Sequence, residues 1–173
     1  MTQRGLTVLA PIVEGREDAL TRHLDGLPGG DGSPLARVPG THFARWVVIP
    51  DVIHQGAGQP RDHLQASRLL FSSSFDGPLA PYLEALRTGL GAEADTIWGH
   101  CRGYPGHRES SAFARWMRAH RLVSALSFAA HDKTVGEVHS NLELRTRLID
   151  FALDGRELPP EQLRSGFRER FPP

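Results

Sequence analysis

The chain has 173 residues, of which 39% are apolar and 23% charged, and its 20 basic and 20 acidic residues give a net charge of zero. That length suits one domain with one core, and the composition excludes disordered and membrane-embedded classes. The balanced charge provides no global field that would attract nucleic acid or anionic lipid, so neither nucleic acid nor a membrane is expected as a partner.

Strand and helix patterns alternate along the first hundred residues. Segments rich in β-branched or aromatic residues predict strands at 5–13, 42–49, 68–73 and 96–101. Apolar residues at helical spacing predict helices at 16–27 and 79–90. The stretch 51–66 carries glycine and proline without periodicity and predicts a long loop of the kind that often borders a site.

The order strand, helix, strand, strand, helix, strand predicts an α+β fold with a ferredoxin-like β-α-β-β-α-β repeat and an antiparallel sheet. Such a sheet has one open face, which either a second copy or the rest of the chain must cover; the first case gives a homodimer through the sheet face. We expect a single domain, 1–173, with a helical C-terminal extension at about 108–173. This extension contains a helix from Ser110 or Ser111 to about Arg121, an apolar stretch at 122–130, a long helix after the capping box Thr134-x-x-Glu137, and a short terminal helix.

Three strings carry a resemblance to a known superfamily: Thr41-His-Phe-Ala-Arg-Trp46, Leu69-Leu-Phe-Ser-Ser-Ser-Phe-Asp-Gly77 and Ile97-Trp-Gly-His-Cys-Arg-Gly-Tyr-Pro-Gly106. Together they resemble a group of largely uncharacterised bacterial proteins of the dimeric α+β-barrel superfamily, over the first two-thirds of the chain and more loosely through 141–145. The resemblance implies the fold. The superfamily includes cofactor-free monooxygenases, polyketide cyclases, haem-degrading enzymes, chlorite dismutases and dye-decolourising peroxidases, but no catalytic motif of one member family is matched residue by residue.

Side chains alternate along a strand, so His42 shares a strand face with Trp46, and His100 shares a face with Trp98. If both faces turn to one side of the sheet, they form a pocket with aromatic walls and two imidazoles. The histidines would then be general acid or base, and Trp46, Trp98 and Tyr104 would bind substrate. The alternative is that these are ordinary core and strand-end residues with satisfied polar groups.

Two further residues carry a hypothesis of their own. Arg45, on the other face of the second strand, could bind a substrate carboxylate as part of the catalytic set, or pair with a neighbouring acid. His120 follows Phe113, Trp116 and Met117 on one helical stripe. The resemblance to the superfamily's haem enzymes makes His120 a candidate axial ligand of haem, while the alternative is a helix C-terminal histidine that bonds free carbonyls.

The leading functional hypothesis is a small-molecule enzyme of the dimeric α+β-barrel class, an oxidoreductase acting on a hydrophobic or aromatic substrate. The alternatives are a non-catalytic ligand-binding or partner domain and a cofactor-free cyclase or isomerase. Metal binding is not expected, because the nine histidines form no His-x-His or His-x-x-x-His pair. The single Cys101 excludes an intrachain disulfide, and the N-terminal residues lack a secretory signal, so a cytoplasmic protein is expected.

Overall fold

The structure is a computed structural model that describes residues 3–53, 56, 58, 62–123 and 132–172. Its strands and helices, in chain order, are β1 (Gln3–Pro11), α1 (Glu17–Asp25), β2 (Thr41–Ile49), β3 (Arg68–Asp76), α2 (Leu79–Leu90), α3 (Ala92–Trp98), α4 (Ser110–Ala119), β4 (Arg121–Leu122), α5 (Val135–Asp154) and α6 (Pro160–Arg170). The chain divides into two compact units, Met1–Val135 and Gly136–Pro173.

The four strands form one sheet in the order β2-β3-β1-β4, and each neighbouring pair is antiparallel. The predicted α+β class with an antiparallel sheet and C-terminal helices is therefore confirmed. β1 and β3 are paired along their whole length, from Gln3 opposite Asp76 to Pro11 opposite Arg68. β4 is only a two-residue edge strand, Arg121–Leu122, at the junction of the predicted helix and the predicted apolar stretch at 122–130, most of which falls outside the described residues.

One face of the sheet carries the core of the first unit. Alternate residues of β1 and β3 are buried, as strand geometry requires, and most of them are apolar. Packed with them are buried residues of α1 to α4, among them Leu20, Leu86, Trp98 and Phe113. The opposite face is more open, and on β2 the Phe43 side chain is 60% exposed.

The predicted fourth strand at 96–101 is wrong, because residues up to Trp98 belong to helix α3. Ala94, Ile97 and Trp98 are all buried, and their i, i+3, i+4 spacing is that of a helix face. Gly91, with φ of +55°, ends α2 and allows α3 to begin at once in a new direction. Just after α3, Cys101 forms an isolated bridge with Ile12 at the end of β1 in place of the predicted strand.

Two contacts fix α2 within the first unit. Gly89 lies so close to the preceding turn that a β-carbon there would be 2.8 Å from the carbonyl oxygen of Arg37. At the other side, the Glu84 carboxylate accepts hydrogen bonds from Arg87 Nε at 2.9 Å and from Ser110 Oγ, at the start of α4, at 2.7 Å. The hydrogen bond from Ser110 ties the middle of α2 to the beginning of α4.

Candidate functional site

A cleft of about 360 Å³ lies between α1 and the end of β2. Small-molecule sites usually occupy roughly 300–1,000 Å³, so this volume is enough for a small ligand. The lining residues come from the two elements and the position after β2: Glu17, Asp18, Thr21, Leu24, Asp25, Trp46, Val48 and Pro50. We call this the α1–β2 cleft.

The local structure explains why these side chains meet. On α1, Leu20 is fully buried, and the lining residues lie on the neighbouring face of the same helix. On β2, Trp46 and Val48 are two residues apart and so point to the same side of the sheet. The cleft therefore combines an apolar floor from the strand with polar and acidic side chains from the helix.

Trp46 is held rigidly in this floor. Its ring centroid lies 5.5 Å from that of Phe71 and 6.2 Å from that of Trp98. The indole Nε1 is buried and has no hydrogen-bond partner among the described residues. A half-buried indole fixed by two neighbouring aromatic rings is a preformed surface for an apolar or cationic group.

The rim of the cleft is acidic. Glu17, Asp18 and Asp25 line it, and none of these carboxylates forms an ion pair within the described ranges. No arginine or lysine lines the cleft. Three carboxylates without an ion pair beside an apolar wall favour a local negative potential even though the whole chain is neutral.

His42 lies away from this cleft, at the beginning of β2. The strand has a β-bulge between Thr41 and Phe43, and the extra residue breaks the simple alternation on which the sequence prediction relied. The His42 imidazole lies 2.8 Å from the Asp76 carboxylate, whereas the Thr41 hydroxyl lies 3.2 Å from the Tyr82 hydroxyl of α2. The bulge thus separates the environment of His42 from that of Trp46.

The His42–Asp76 pair is well shielded, with side-chain exposures of 10% and 13%. Burial acts to raise the pKa of Asp76, but the Val135 N–H, which donates a 2.8 Å hydrogen bond, and the neighbouring His42 outweigh it. The net effect lowers the pKa of Asp76, so it is an ionised acceptor at neutral pH. A carboxylate that orients an imidazole is the usual arrangement of a general acid or base.

His100 lies at the other end of the sheet. Its carbonyl oxygen accepts a 2.8 Å hydrogen bond from Val13, just beyond β1, whereas Asp76 and His42 lie beside the first residue of β1, Gln3. At about 3.3 Å per residue, the two sites are roughly 30 Å apart along the strand. The predicted pocket with both imidazoles in one hollow is therefore wrong.

The surroundings of His100 contain groups that the sequence analysis missed. Burial, and then the positive charges of Arg16 and His23, lower the pKa of His100. Its Nδ1 is buried without a hydrogen-bond partner among the described residues. His23 itself lies 2.5 Å from the Glu93 carboxylate of α3. These residues are up to 84 positions apart in the chain, and no spacing in the sequence could have grouped them.

The remaining predicted substrate-binding residues lie in different environments. Trp98 is fully buried, so its indole is part of the core rather than a ligand surface. Tyr104 donates a 3.0 Å hydrogen bond to Asp95, which also accepts from His107 at 2.7 Å. Burial, with the adjoining Asp95 carboxylate, raises the pKa of Tyr104 well above its usual value. Arg45 is exposed on the other face of β2.

His120 ends α4. Its Nδ1 donates a 2.9 Å hydrogen bond to the carbonyl oxygen of Trp116, and the two rings lie 4.5 Å apart. This is the contact expected of a histidine that satisfies a free carbonyl at a helix C-terminus. The hydrogen bond from Nδ1 leaves the His120 Nε2 free to accept, and this is the nitrogen that a haem iron would require. Haem binding therefore stays a prediction.

Histidine–carboxylate pairs recur in this protein. Besides His42–Asp76 they are His23–Glu93, His107–Asp95 and His63–Asp51. Each pair contains only two ligand groups, and within the described part of the chain no three histidine, cysteine or acidic side chains are placed to hold a metal ion. Such pairs can orient an imidazole and move a proton, which is chemistry that one histidine and one carboxylate suffice to perform.

Comparisons of the chain with protein-family models, with curated proteins and with solved structures found no match in any of the three. The resemblance to the dimeric α+β-barrel superfamily therefore stays a prediction that depends on the three strings quoted above. Among the described residues, no helix combines the length and the apolar character that crossing a bilayer requires.

Proposed function

We propose that the protein binds a small organic molecule in the α1–β2 cleft. The observation that carries this proposal is that a preformed indole surface, Trp46, lines a cavity of ligand size. The alternation of its strand also predicts a ligand-binding role for this tryptophan. Convergent polar groups around an apolar floor are the usual composition of a small-molecule site. Binding does not require that the protein be an enzyme.

The chemistry of the cleft favours a ligand with a positive charge on an apolar body. An ammonium group over an indole face gains roughly 0.5–2 kcal/mol from the ring quadrupole. The same group would offset the mutual repulsion of Glu17, Asp18 and Asp25 at the rim. An anionic ligand would meet that repulsion instead, so we expect the cleft to select against carboxylates and phosphates.

The test compares two probes of similar size and shape that differ in charge, benzylamine and benzyl alcohol, by isothermal titration calorimetry. We expect benzylamine to bind at least about tenfold more tightly, a difference of ~1.4 kcal/mol. Trp46→Phe should weaken both probes, since the ring face becomes smaller. Asp25→Asn should weaken benzylamine only, because it removes charge without changing shape.

The matched control is Glu157→Gln, at an exposed position far along the chain from α1 and outside the cleft. It changes the net charge by the same amount as Asp25→Asn and should leave both affinities unchanged. Equal affinities for the amine and the alcohol, or equal effects of the two charge changes, would show that the cleft does not recognise cations.

A second candidate function, that of an enzyme, is favoured by the shielded His42–Asp76 pair. In this proposal the protein is an oxidoreductase of the dimeric α+β-barrel class, and His42 or His100 transfers a proton for an aromatic substrate. His42→Ala and His100→Ala are compared with the exposed control His63→Ala by oxygen uptake with hydroquinone as the probe. Loss of uptake in one of the first two supports the proposal, and no uptake by the wild type contradicts it. Turnover that persists without oxygen would indicate a cyclase or isomerase.

The finer assignments of fold and assembly are proposals as well. The antiparallel order β2-β3-β1-β4 supports a ferredoxin-like sheet, although β4 has two residues and α3 and α4 precede it. The homodimer through the sheet face stays a prediction, and the observation that bears on it is that Phe43 and Val47 are exposed on the open face of β2. A lone, buried and unpaired Cys101 is compatible with a cytoplasmic protein.

A further inference from the structure

The second unit, Gly136–Pro173, is a helical hairpin that exposes an unusual amount of apolar surface. Neither α5 nor α6 has a buried residue within its described length. Seven large apolar side chains of this unit are at least 38% exposed: Leu142, Leu144, Leu148, Ile149, Leu153, Leu158 and Phe167. Where such exposed apolar side chains line up on one face, they usually mark an interaction surface.

One face of α5 is already occupied by α6. Phe151 packs against Phe167 and Phe171, with ring centroids 5.7 and 5.8 Å apart. A β-carbon at Gly155 would be 2.5 Å from the Leu163 side chain, so the helices approach closely at that point. This face of α5 therefore holds the hairpin together.

A separate apolar stripe runs along α5 on another face. Val138, Leu142, Ile149 and Leu153 are spaced by four, seven and four residues, and at 100° per residue they lie within about 60° of one another around the helix. The face of Phe151 and Gly155 lies more than 120° away from the centre of this stripe by the same count. Leu142, Ile149 and Leu153 are 51%, 44% and 50% exposed.

We propose that this stripe of α5 binds the same stripe of a second copy of the chain in antiparallel orientation. The spacing of four, seven and four reads identically in both directions along the helix. An antiparallel copy therefore places Leu142 opposite the partner's Ile149 and Val138 opposite the partner's Leu153, on a two-fold axis between Arg145 and Thr146. A self-complementary pattern needs no other protein to complete it.

The charges beside the stripe fit this arrangement on one flank. In the antiparallel pairing, His139 of one copy lies within one helical turn of Asp150 of the other, on the same flank, and symmetry repeats the pair. On the other flank the two Arg145 side chains meet near the two-fold axis and repel each other. We therefore expect the repulsion between the two Arg145 side chains to make the dimer weaker than the apolar contacts alone would allow.

The size of the contact sets the expected affinity. A 20-residue helix is about 30 Å long, so a single helix-to-helix contact stays below the roughly 800 Å² per partner of a standard stable interface. A dissociation constant on the order of micromolar is expected for such an interface. Sedimentation velocity of the full chain over a hundredfold concentration range covers this region.

Three variants test the proposal, and each is checked for helix content by circular dichroism. Ile149→Asp should give a monomer at all concentrations, because it places two carboxylates in the middle of the stripe. Arg145→Leu should tighten the dimer at least tenfold, because it removes the like-charge contact and extends the stripe. Phe43→Asp, on the open sheet face, should leave this dimer unchanged.

The same three variants distinguish this interface from a dimer through the sheet. A dimer that Phe43→Asp dissociates and Ile149→Asp leaves intact belongs to the sheet face and overturns the proposal. A wild-type chain that stays monomeric throughout, with Arg145→Leu also monomeric, overturns it equally. A change in the same direction for Ile149→Asp and Arg145→Leu would contradict the antiparallel pairing and overturn the proposal as well.

Discussion

Gly89 offers the sharpest test of the packing in the first unit. In a helix interior, glycine is less favourable than alanine by about 1 kcal/mol, so Gly→Ala normally stabilises. At position 89 the added methyl group would lie 2.8 Å from the Arg37 carbonyl oxygen and 3.1 Å from Val38 Cγ2. The Arg37 oxygen is a backbone atom, so it cannot move away as easily as the end of a flexible side chain could.

The expected magnitude follows from these two opposing effects. Overpacking of this kind typically costs about 1–3 kcal/mol. Over most of that range the cost is larger than the gain of about 1 kcal/mol from the better helix propensity of alanine. We therefore expect Gly89→Ala to lower the free energy of unfolding by about 1 kcal/mol instead of raising it. Urea unfolding followed by tryptophan emission measures the change.

The neighbouring exposed position supplies the control. Thr88→Ala tests the effect of a small residue at the same end of α2, away from the Arg37 turn, and should change stability by less than about 1 kcal/mol. If Gly89→Ala proved more stable than the wild type, α2 would not pack against the turn as closely as described, and the reasoning would fail.

Three further predictions concern the same unit. Trp98→Ala should cost about 3–5 kcal/mol of unfolding free energy, measured by urea unfolding, because the indole is fully buried in the core; a loss below about 1 kcal/mol would contradict that role. Burial raises the pKa of Cys101 to about 12, so the native thiol should not react with a disulfide reagent at pH 8 but should react fully in urea. Hydrogen bonds from Arg87 and then Ser110 lower the pKa of Glu84 to about 2. Its stabilising effect should therefore be complete above the ordinary value of 4.5 and disappear as the pH falls towards 2, and Glu84→Gln should remove that part of the pH dependence of unfolding.

Much of the fold could be predicted from the sequence because most elements carry a period of their own. The alternation in 42–49 and the apolar helical spacing in 79–90 agree with the local structure, and both elements are confirmed within one residue. The segment 96–101 failed because six residues are too few to separate a period of 2 from one of 3.6. Extending the window back to Ala94 reveals the helical stripe that the structure uses.

The candidate site was only partly predictable, for two physical reasons. A β-bulge at His42 depends on pairing with the neighbouring strand, and a single strand's sequence does not report it. Acidic residues of α1 meet Trp46 only after the chain has folded, so the electrostatic character of the cleft was absent from any local pattern. Trp46 itself was found because its strand alternates clearly from Ala44 to Val48.

The aromatic rings are divided unevenly between the two units. All three tryptophans and both tyrosines precede residue 136, and the hairpin after it contains phenylalanine as its only aromatic side chain. Tryptophan emission therefore does not report directly on unfolding of the hairpin, whereas far-ultraviolet ellipticity includes the signal of its two helices. Transitions that coincide in both signals would indicate one cooperative system, and an early loss of ellipticity alone would reveal a C-terminal hairpin that unfolds independently.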